Sequence, residues 1–261
     1  MNGPMAGGLR GRCASYGGKS EKMVREERFL RQSQETRSVS GGSGRIFCDA
    51  VSSGWVLRRG ETAILKPGTV IAEQGDDVSE CLYVYSGQLV CCGMSRAGEN
   101  RIWGIYGKGS IVFASECMYG RKTECRCTAA QQTTLVRMPA AQLRDAVRHD
   151  TGASAEVMRM ISLEYEAFSS YARALATKTA LIRTCTALKD LAEVFGTEDS
   201  GRIIIEYKMN QQFLADFVGV NRVTLAKLIG ELKSRRIIET VNGLYAIRDR
   251  EGIAAETTEV F

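Results

Sequence analysis

The sequence predicts an α+β chain in three parts: an antiparallel β-roll (a barrel), a long helix, and a carboxyl-terminal winged helix-turn-helix. Three observations predict it. Short β-rich runs separated by glycine-containing turns fill residues 55–138. Apolar residues then recur at the spacing of a helical seam within 140–176. From residue 209 to 249 two helix patterns meet at a glycine turn and lead into an Asn-Gly hairpin.

The β-rich runs are 62–65, 70–72, 81–85, 88–93, 101–106 and 133–138. Pro67 and Gly68, Gly75 and Asp76, Ser86 and Gly87, Ala97 and Gly98, and Gly107 to Gly109 punctuate them. Runs of roughly 4–6 residues with turn signals every ~8–12 residues indicate an antiparallel barrel or sandwich, here placed at 46–139. Glycine suits such corners because it reaches positive φ without steric cost.

Residues 140–176 read as helical. Val157, Ile161, Glu164, Phe168, Tyr171 and Leu175 follow at spacings of 4, 3, 4, 3 and 4, the seam of a coiled coil, and are assigned to a dimer interface. Met160, Leu163 and Ala167 widen the stripe, which leaves one face for the β-domain and another for a second subunit. A plain amphipathic helix in a monomer is the alternative. Glu164 fits the seam poorly, because a buried carboxylate is costly unless paired. Either that stretch is solvated or the register differs slightly. A second helix over 180–195 ends at Gly196. A loop over 197–201 and a strand over 203–207 follow, in a winged domain spanning 177–250, with 251–261 as a tail.

In the helix-turn-helix, counting from Gln211, the fifth residue is Ala215 and the ninth Gly219. Two helices crossing steeply need a small residue at the contact, and the tight turn needs a left-handed one. Leu214, Phe217, Leu225, Leu228 and Leu232 hold the second helix on the first, and Asn221 is a good N-cap. The exposed face then carries Arg222, Val223, Thr224 and Lys227, side chains suited to a major groove. Asn242 and Gly243 between the apolar runs 237–241 and 244–247 give a hairpin, hence a wing. Between residues 207 and 238 six Lys/Arg face only Asp216 and Glu231, so the basic patch is local.

Composition removes several function classes. The chain has 261 residues and one histidine, His149, so catalytic triads and multi-histidine metal sites lack raw material. No enzymatic activity, metal or resident cofactor is expected. No apolar run approaches the ~18–20 residues of a membrane span, and residues 1–12 lack the apolar core of a secretory signal. A cytoplasmic protein without membrane contact is the expectation, with its nine cysteines reduced. Residues 1–45 hold nine Lys/Arg against four Asp/Glu, with nine Gly and six Ser, and read as a disordered basic tail. It is either an arm that touches DNA or an unstructured start, with a short helix over 21–31. Cys91 with Cys92, and Cys125 with Cys127, lack zinc-site spacing and read as apolar filler, with thiol sensing as the alternative.

Over residues 55–250 the chain resembles the Crp/Fnr transcription regulators. The stretch 67–76 (PGTVIAEQGD) is similar to the family's early β-roll segment, 82–87 (LYVYSG) to its next strand and turn, and 212–238 to its DNA-binding motif without a gap. The resemblance implies a cyclic-nucleotide-binding-like β-roll and a dimerisation helix. It places Arg222 and Lys227 on base edges and phosphates, and Gln211 and Gln212 at a phosphate clamp.

Two departures matter. Val223 stands where the family reads cytosine with a glutamate, and an apolar side chain there meets a thymine methyl. That shifts the half-site toward A/T and resembles the branch that senses halogenated aromatics in anaerobic respiration. The ribose- and phosphate-binding pairs of cAMP-binding members fall on 113–116 (FASE) and on Thr123 and Glu124, where a carboxylate repels phosphate. Cysteine-cluster and haem types are disfavoured too, since only Cys13 and Cys48 precede the β-roll and His149 lies outside it. A small organic effector other than cAMP remains, with Trp103, Phe113, Tyr119 and Arg126 as candidate contacts.

The reading is therefore a homodimeric, effector-controlled regulator on a palindromic, A/T-leaning double-stranded operator, with RNA polymerase as a partner if it activates. Its DNA-binding residues are Gln211, Gln212, Asn221, Arg222, Val223, Thr224 and Lys227. The alternatives are a β-roll module acting through protein contacts and a cysteine-based redox regulator.

Overall fold

A computed structural model describes residues 44–48, 50–95 and 98–257. Most of the basic amino-terminal arm, its short helix and Cys13 lie outside them. The chain divides into two compact units. One holds Phe47–Cys91 and Ile105–Leu163; the other holds 44–46, Cys92–Gly104 and 164–257. No helix among the described residues is long and apolar enough to cross a membrane.

The β-roll consists of β1 (Ile46–Phe47), β2 (Glu61–Leu65), β3 (Val70–Ala72), β4 (Glu80–Ser86), β5 (Leu89–Met94), β6 (Asn100–Tyr106), β7 (Ile111–Val112), β8 (Arg126–Ala129) and β9 (Thr133–Pro139). Two sheets form, in the orders β1-β6-β5-β8-β3 and β2-β9-β4-β7. Strand β4 is central in its sheet, and Cys81, Leu82, Tyr83 and Val84 are all buried. Both its faces are covered, which explains an unbroken apolar run where a half-exposed strand would alternate. Two short helices, α1 (Ser53–Leu57) and α2 (Ala114–Tyr119), interrupt the strands. The turn into β5 shows why glycine is needed there. Gly87 has φ +88°, and a β-carbon on it would run into the backbone of Gln132 and Thr133. The Thr133 hydroxyl closes that corner, accepting from Gln88 N at 3.1 Å and donating to its carbonyl at 3.0 Å.

The stretch read as one helical segment, 140–176, is two helices: α3 (Ala140–His149) and α4 (Thr151–Thr177). Asp150 leaves the helical region at φ −124°, ψ 103°. Its carboxylate accepts from Ala153 N at 3.0 Å, restarting the chain as an N-cap does. Along α4 two stripes run side by side. Ala153, Val157, Met160 and Ala167 are buried within the chain. Met158, Tyr165, Phe168 and Leu175 are exposed, at 64%, 75%, 36% and 45%. The seam read from the sequence alternates between the two. Val157 is thus corrected to the chain's own interior, at 2% exposure. Tyr171 is half-covered, with its ring against Arg45 within the winged unit.

The second unit continues with α5 (Ala180–Phe195), β10 (Gly196–Asp199), β11 (Arg202–Ile205), α6 (Gln211–Val218), α7 (Arg222–Ser234), β12 (Ile238–Val241), β13 (Leu244–Ile247) and α8 (Arg250–Thr257). The loop expected over 197–201 is instead a strand and a turn. Ser200 and Gly201, both at positive φ, fold β10 back on β11. The sheet order is β10-β11-β13-β12. Residues 251–257, read as tail, form most of α8. Ile253 is buried, and Lys189 of α5 bonds Thr257 at 3.2 Å, so apolar burial and a side-chain bond fix the helix.

Candidate nucleic-acid interface

The interface is set by two capped helices and a turn. Asn210 Oδ1 accepts from Phe213 N at 2.8 Å and starts α6. Gly219, at φ +82°, ends it, and the amides of Gly219 and Val220 both donate to the Ala215 carbonyl, at 2.9 and 3.1 Å. Ala215 is fully buried, as a crossing contact requires. Asn221 Oδ1 then accepts from Thr224 N at 2.8 Å and starts α7. Leu225, Ile229 and Leu232 face inward, while Leu228 is only partly covered. Ile229, which was not assigned to the core from sequence, follows Leu225 by one turn.

Arg222, Val223 and Lys227 are exposed on the opposite face, and Val223 is 66% exposed although apolar. Among the described residues neither Arg222 nor Lys227 has an ion-pair partner. Thr224 is half-covered. Gln211 is half-covered and Gln212 exposed. Gln212 Nε2 donates to Asp216 Oδ1 at 2.8 Å, so this amide nitrogen is engaged within α6. Burial raises the Asp216 carboxyl above its ordinary pKa, and the bond from Gln212 partly offsets that. The cap role of Asn221 occupies its carbonyl oxygen and leaves its amide nitrogen outward.

The wing closes through Asn242 and Gly243, at φ 51° and 80°, as a two-residue hairpin with both turn residues left-handed. Val241 pairs with Leu244 and Ile238 with Ile247. The basic patch is one cation smaller than the sequence count. Arg235 is held by Glu231 at 3.5 Å and by Glu256 of α8, and these carboxylates raise its pKa.

The candidate effector residues have different surroundings. Phe113 is buried, at φ 67°, a conformation that side chains other than glycine adopt at a cost, and it leads into α2. Tyr119, at the end of α2, is 79% exposed. Arg126 pairs with Glu73 at 3.4 Å on the surface of the roll. Trp103 lies in the other unit, its ring edge-on to Phe168 at 6.2 Å and pressed against Gly93. In the roll, Thr123 is buried and its hydroxyl bonds Cys125 N and Cys125 O, both at 3.1 Å, while Glu124 beside it is exposed.

The described cysteines form no disulfide, and no cluster among the described residues could hold a metal. The Cys125 thiol is raised far above its ordinary range by its bond to the Cys91 thiol and by burial. Cys81 is raised in the same way by Cys117 and burial. Both are therefore protonated and poorly nucleophilic.

Sequence reasoning missed Arg45, assigned to the tail. Its side chain is 3% exposed and is packed within the winged unit. The local signal was the apolar pair that follows it, Ile46 and Phe47.

Residues 182–256 match the Crp-like helix-turn-helix domain, and residues 63–150 the cyclic nucleotide-binding domain. The chain is 22% identical over 166 residues to the Global nitrogen regulator of Nostoc sp., covering 63% of this chain and 74% of that protein. It is 24% identical over 186 residues to the transcriptional activator protein Anr of Pseudomonas protegens, covering 70% and 74%. Among solved structures, a CooA mutant from Carboxydothermus hydrogenoformans superposes with a TM-score of 0.67 at 17% identity, over 78% of this chain and 90% of that one. CprK in complex with OCPA superposes with a TM-score of 0.64 at 15% identity, over 80% and 96%.

Proposed function

The chain belongs to the Crp/Fnr family of transcription regulators, and on that premise we propose that it is a homodimer that binds a palindromic operator under the control of a small-molecule effector. The observation that carries the reading is the face of α7. Arg222, Val223 and Lys227 are exposed along the first two turns of a helix whose start is capped by Asn221. Arg222 and Lys227 supply contacts to base edges and phosphates, with Asn221 and Thr224 at the entry to the groove. Gln211 and Gln212 lie at the start of α6, where backbone amides face a phosphate. Gln212 adds its side chain only if it releases Asp216. Val223 offers a methyl-lined surface and no acceptor, which favours thymine over cytosine and leans the half-site toward A/T.

The dimer is supported by the outward stripe of α4: Met158, Ile161, Tyr165, Phe168, Ala172 and Leu175, at spacings of 3, 4, 3, 4 and 3. An apolar stripe with that period over a helix of 27 residues suits a second copy of itself. Two α7 helices related by the dimer axis would then reach half-sites about one DNA turn apart.

The effector is read as a small organic molecule of the β-roll. Exposed Glu124 and the Arg126 side chain already paired with Glu73 make the roll unfavourable for a cyclic phosphate. CprK, a structural neighbour, is described in complex with OCPA, and the apolar Val223 is the residue that resembles the branch sensing halogenated aromatics. Phe113 is the aromatic candidate for contact within the roll, and RNA polymerase is a partner if the regulator activates.

The test is binding of the purified chain to its own upstream DNA, by fluorescence anisotropy at two salt concentrations, with and without candidate effectors. A salt-sensitive, saturable complex on a palindromic site is expected, tightened by the true effector. Absence of any salt-dependent binding overturns the reading.

A further inference from the structure

Three elements of the winged unit converge on Arg45. Its guanidinium lies 3.6 Å from the ring centre of Tyr171 on α4 and 4.5 Å from that of Phe217 on α6. It donates to the carbonyl oxygens of Ile102 on β6 and of Phe217. Phe217 stands in the last turn of α6, where carbonyls have no partner within the helix and a cation is favoured. A buried guanidinium is costly unless hydrogen-bonded, and here the acceptors are main-chain groups of two different elements. Nearby, Arg183 of α5 donates to Val218 O at 3.4 Å and to Lys178 O at 2.8 Å, binding the same end of α6 to the start of α5. Beside the stack lies a small opening bordered by Ala174, Thr186 and Asp190.

We propose that Arg45 is a positioning residue for DNA binding, a clasp that fixes α6 against α4 and β6 and thereby sets the pose of the recognition helix α7. The proposal rests on the regulator reading above. Arg45 is 3% exposed, enclosed by two rings and two carbonyls with the Asp190 carboxylate near its charge, so the clasp offers no open contact to a phosphate. Its effect is on geometry and carries no phosphate contact. An arginine is required: a planar fork reaches two acceptors and stacks on two rings at once, whereas a lysine reaches one acceptor and does not stack in that way.

The experiment compares the full chain with its Arg45→Ala and Arg45→Lys variants on the same operator, across a salt series, after far-UV circular dichroism has confirmed folding. Arg45→Ala is expected to weaken the operator complex about tenfold or more with the slope of log K against log[salt] unchanged, because no counterion-releasing contact is lost. Arg45→Lys recovers part of that affinity at the same slope. If Arg45→Ala does not fold, Arg45→Lys carries the comparison, with an intermediate loss at constant slope expected. Equal affinity in the folded variants overturns the clasp while leaving the regulator reading intact. A slope shallower by about 0.9 overturns it as well, because Arg45 would then be a phosphate contact. A wild-type chain that binds no DNA overturns the regulator reading and the clasp together.

Discussion

The hydroxyl of Tyr171, near the end of α4, lies where a β-carbon on Gly219 would have to stand. Gly219 thus meets two demands at one position. The turn of the helix-turn-helix needs φ +82°, and the Tyr171 hydroxyl leaves no room for a β-carbon. A substitution that relieved only one of these would still fail.

Gly219→Ala is accordingly expected to destabilise the chain by about 2–4 kcal/mol, from left-handed strain together with overpacking. The contact part is separable. In the double variant with Tyr171→Ala the hydroxyl is gone, so the two losses should sum to less than their separate values. Urea unfolding of the four proteins in this cycle measures the coupling. Strict additivity would mean that Tyr171 and Gly219 do not meet.

Arg222→Ala is expected to abolish specific operator binding while leaving the thermal midpoint within about 1 °C, since the side chain is exposed and no ion pair is lost. Val223→Glu tests the specificity argument in the other direction. A carboxylate accepts from cytosine N4 and repels the thymine-rich site, so the preferred half-site should move toward G/C. Binding-site selection on a random library checks both variants. An unchanged preference in Val223→Glu would place residue 223 outside the groove.

The two stripes of α4 give opposite expectations for neighbouring residues. Phe168→Glu and Leu175→Glu put charge on the outward stripe and should yield a folded monomer in sedimentation velocity. Val157→Ala removes buried methyl groups from the chain's own interior. It should lower stability by about 2 kcal/mol and leave the oligomeric state unchanged. A monomer from Val157→Ala would reverse the assignment of the faces.

Much of the fold was legible because its signals are local. Glycine turns bounded the strands, Asn221 and Gly219 marked the recognition helix, and Asn242 with Gly243 marked the wing. What escaped depends on neighbours distant in sequence. The seam read along α4 crosses between its two stripes because the neighbours Val157 and Met158 are both apolar, and only packing decides which faces inward. Arg45 sat in a glycine- and serine-rich stretch, and its burial depends on Tyr171 and Phe217, more than a hundred residues away. The turn at Ser200 and Gly201 had a readable signal, but its strand β10 has almost no apolar residues to announce it. Helix α8 was hidden by the same polarity, with Ile253 as its one buried residue.

The thiols provide a final expectation. Burial pushes Cys185 up to about 12, and Cys81 and Cys125 are raised further by hydrogen bonds to neighbouring thiols. Reaction with iodoacetamide requires a thiolate, so these three should stay unlabelled in the native chain at pH 8 and become labelled in denaturant. Labels found in the native state among the described cysteines belong on the partly exposed Cys48 and Cys92. The same shifts couple folding to pH. A thiol whose pKa is higher in the folded chain binds its proton more tightly there. Its stabilising contribution is complete below the unfolded thiol's pKa near 9, and for Cys185 it is lost as pH rises toward about 12. Urea midpoints measured from pH 7 to pH 11 should therefore be level at first and fall above about 9, and Cys185→Ala should reduce that fall. Rapid native labelling of Cys125, or operator binding abolished by mild peroxide through Cys125, would instead restore the cysteine-based regulator.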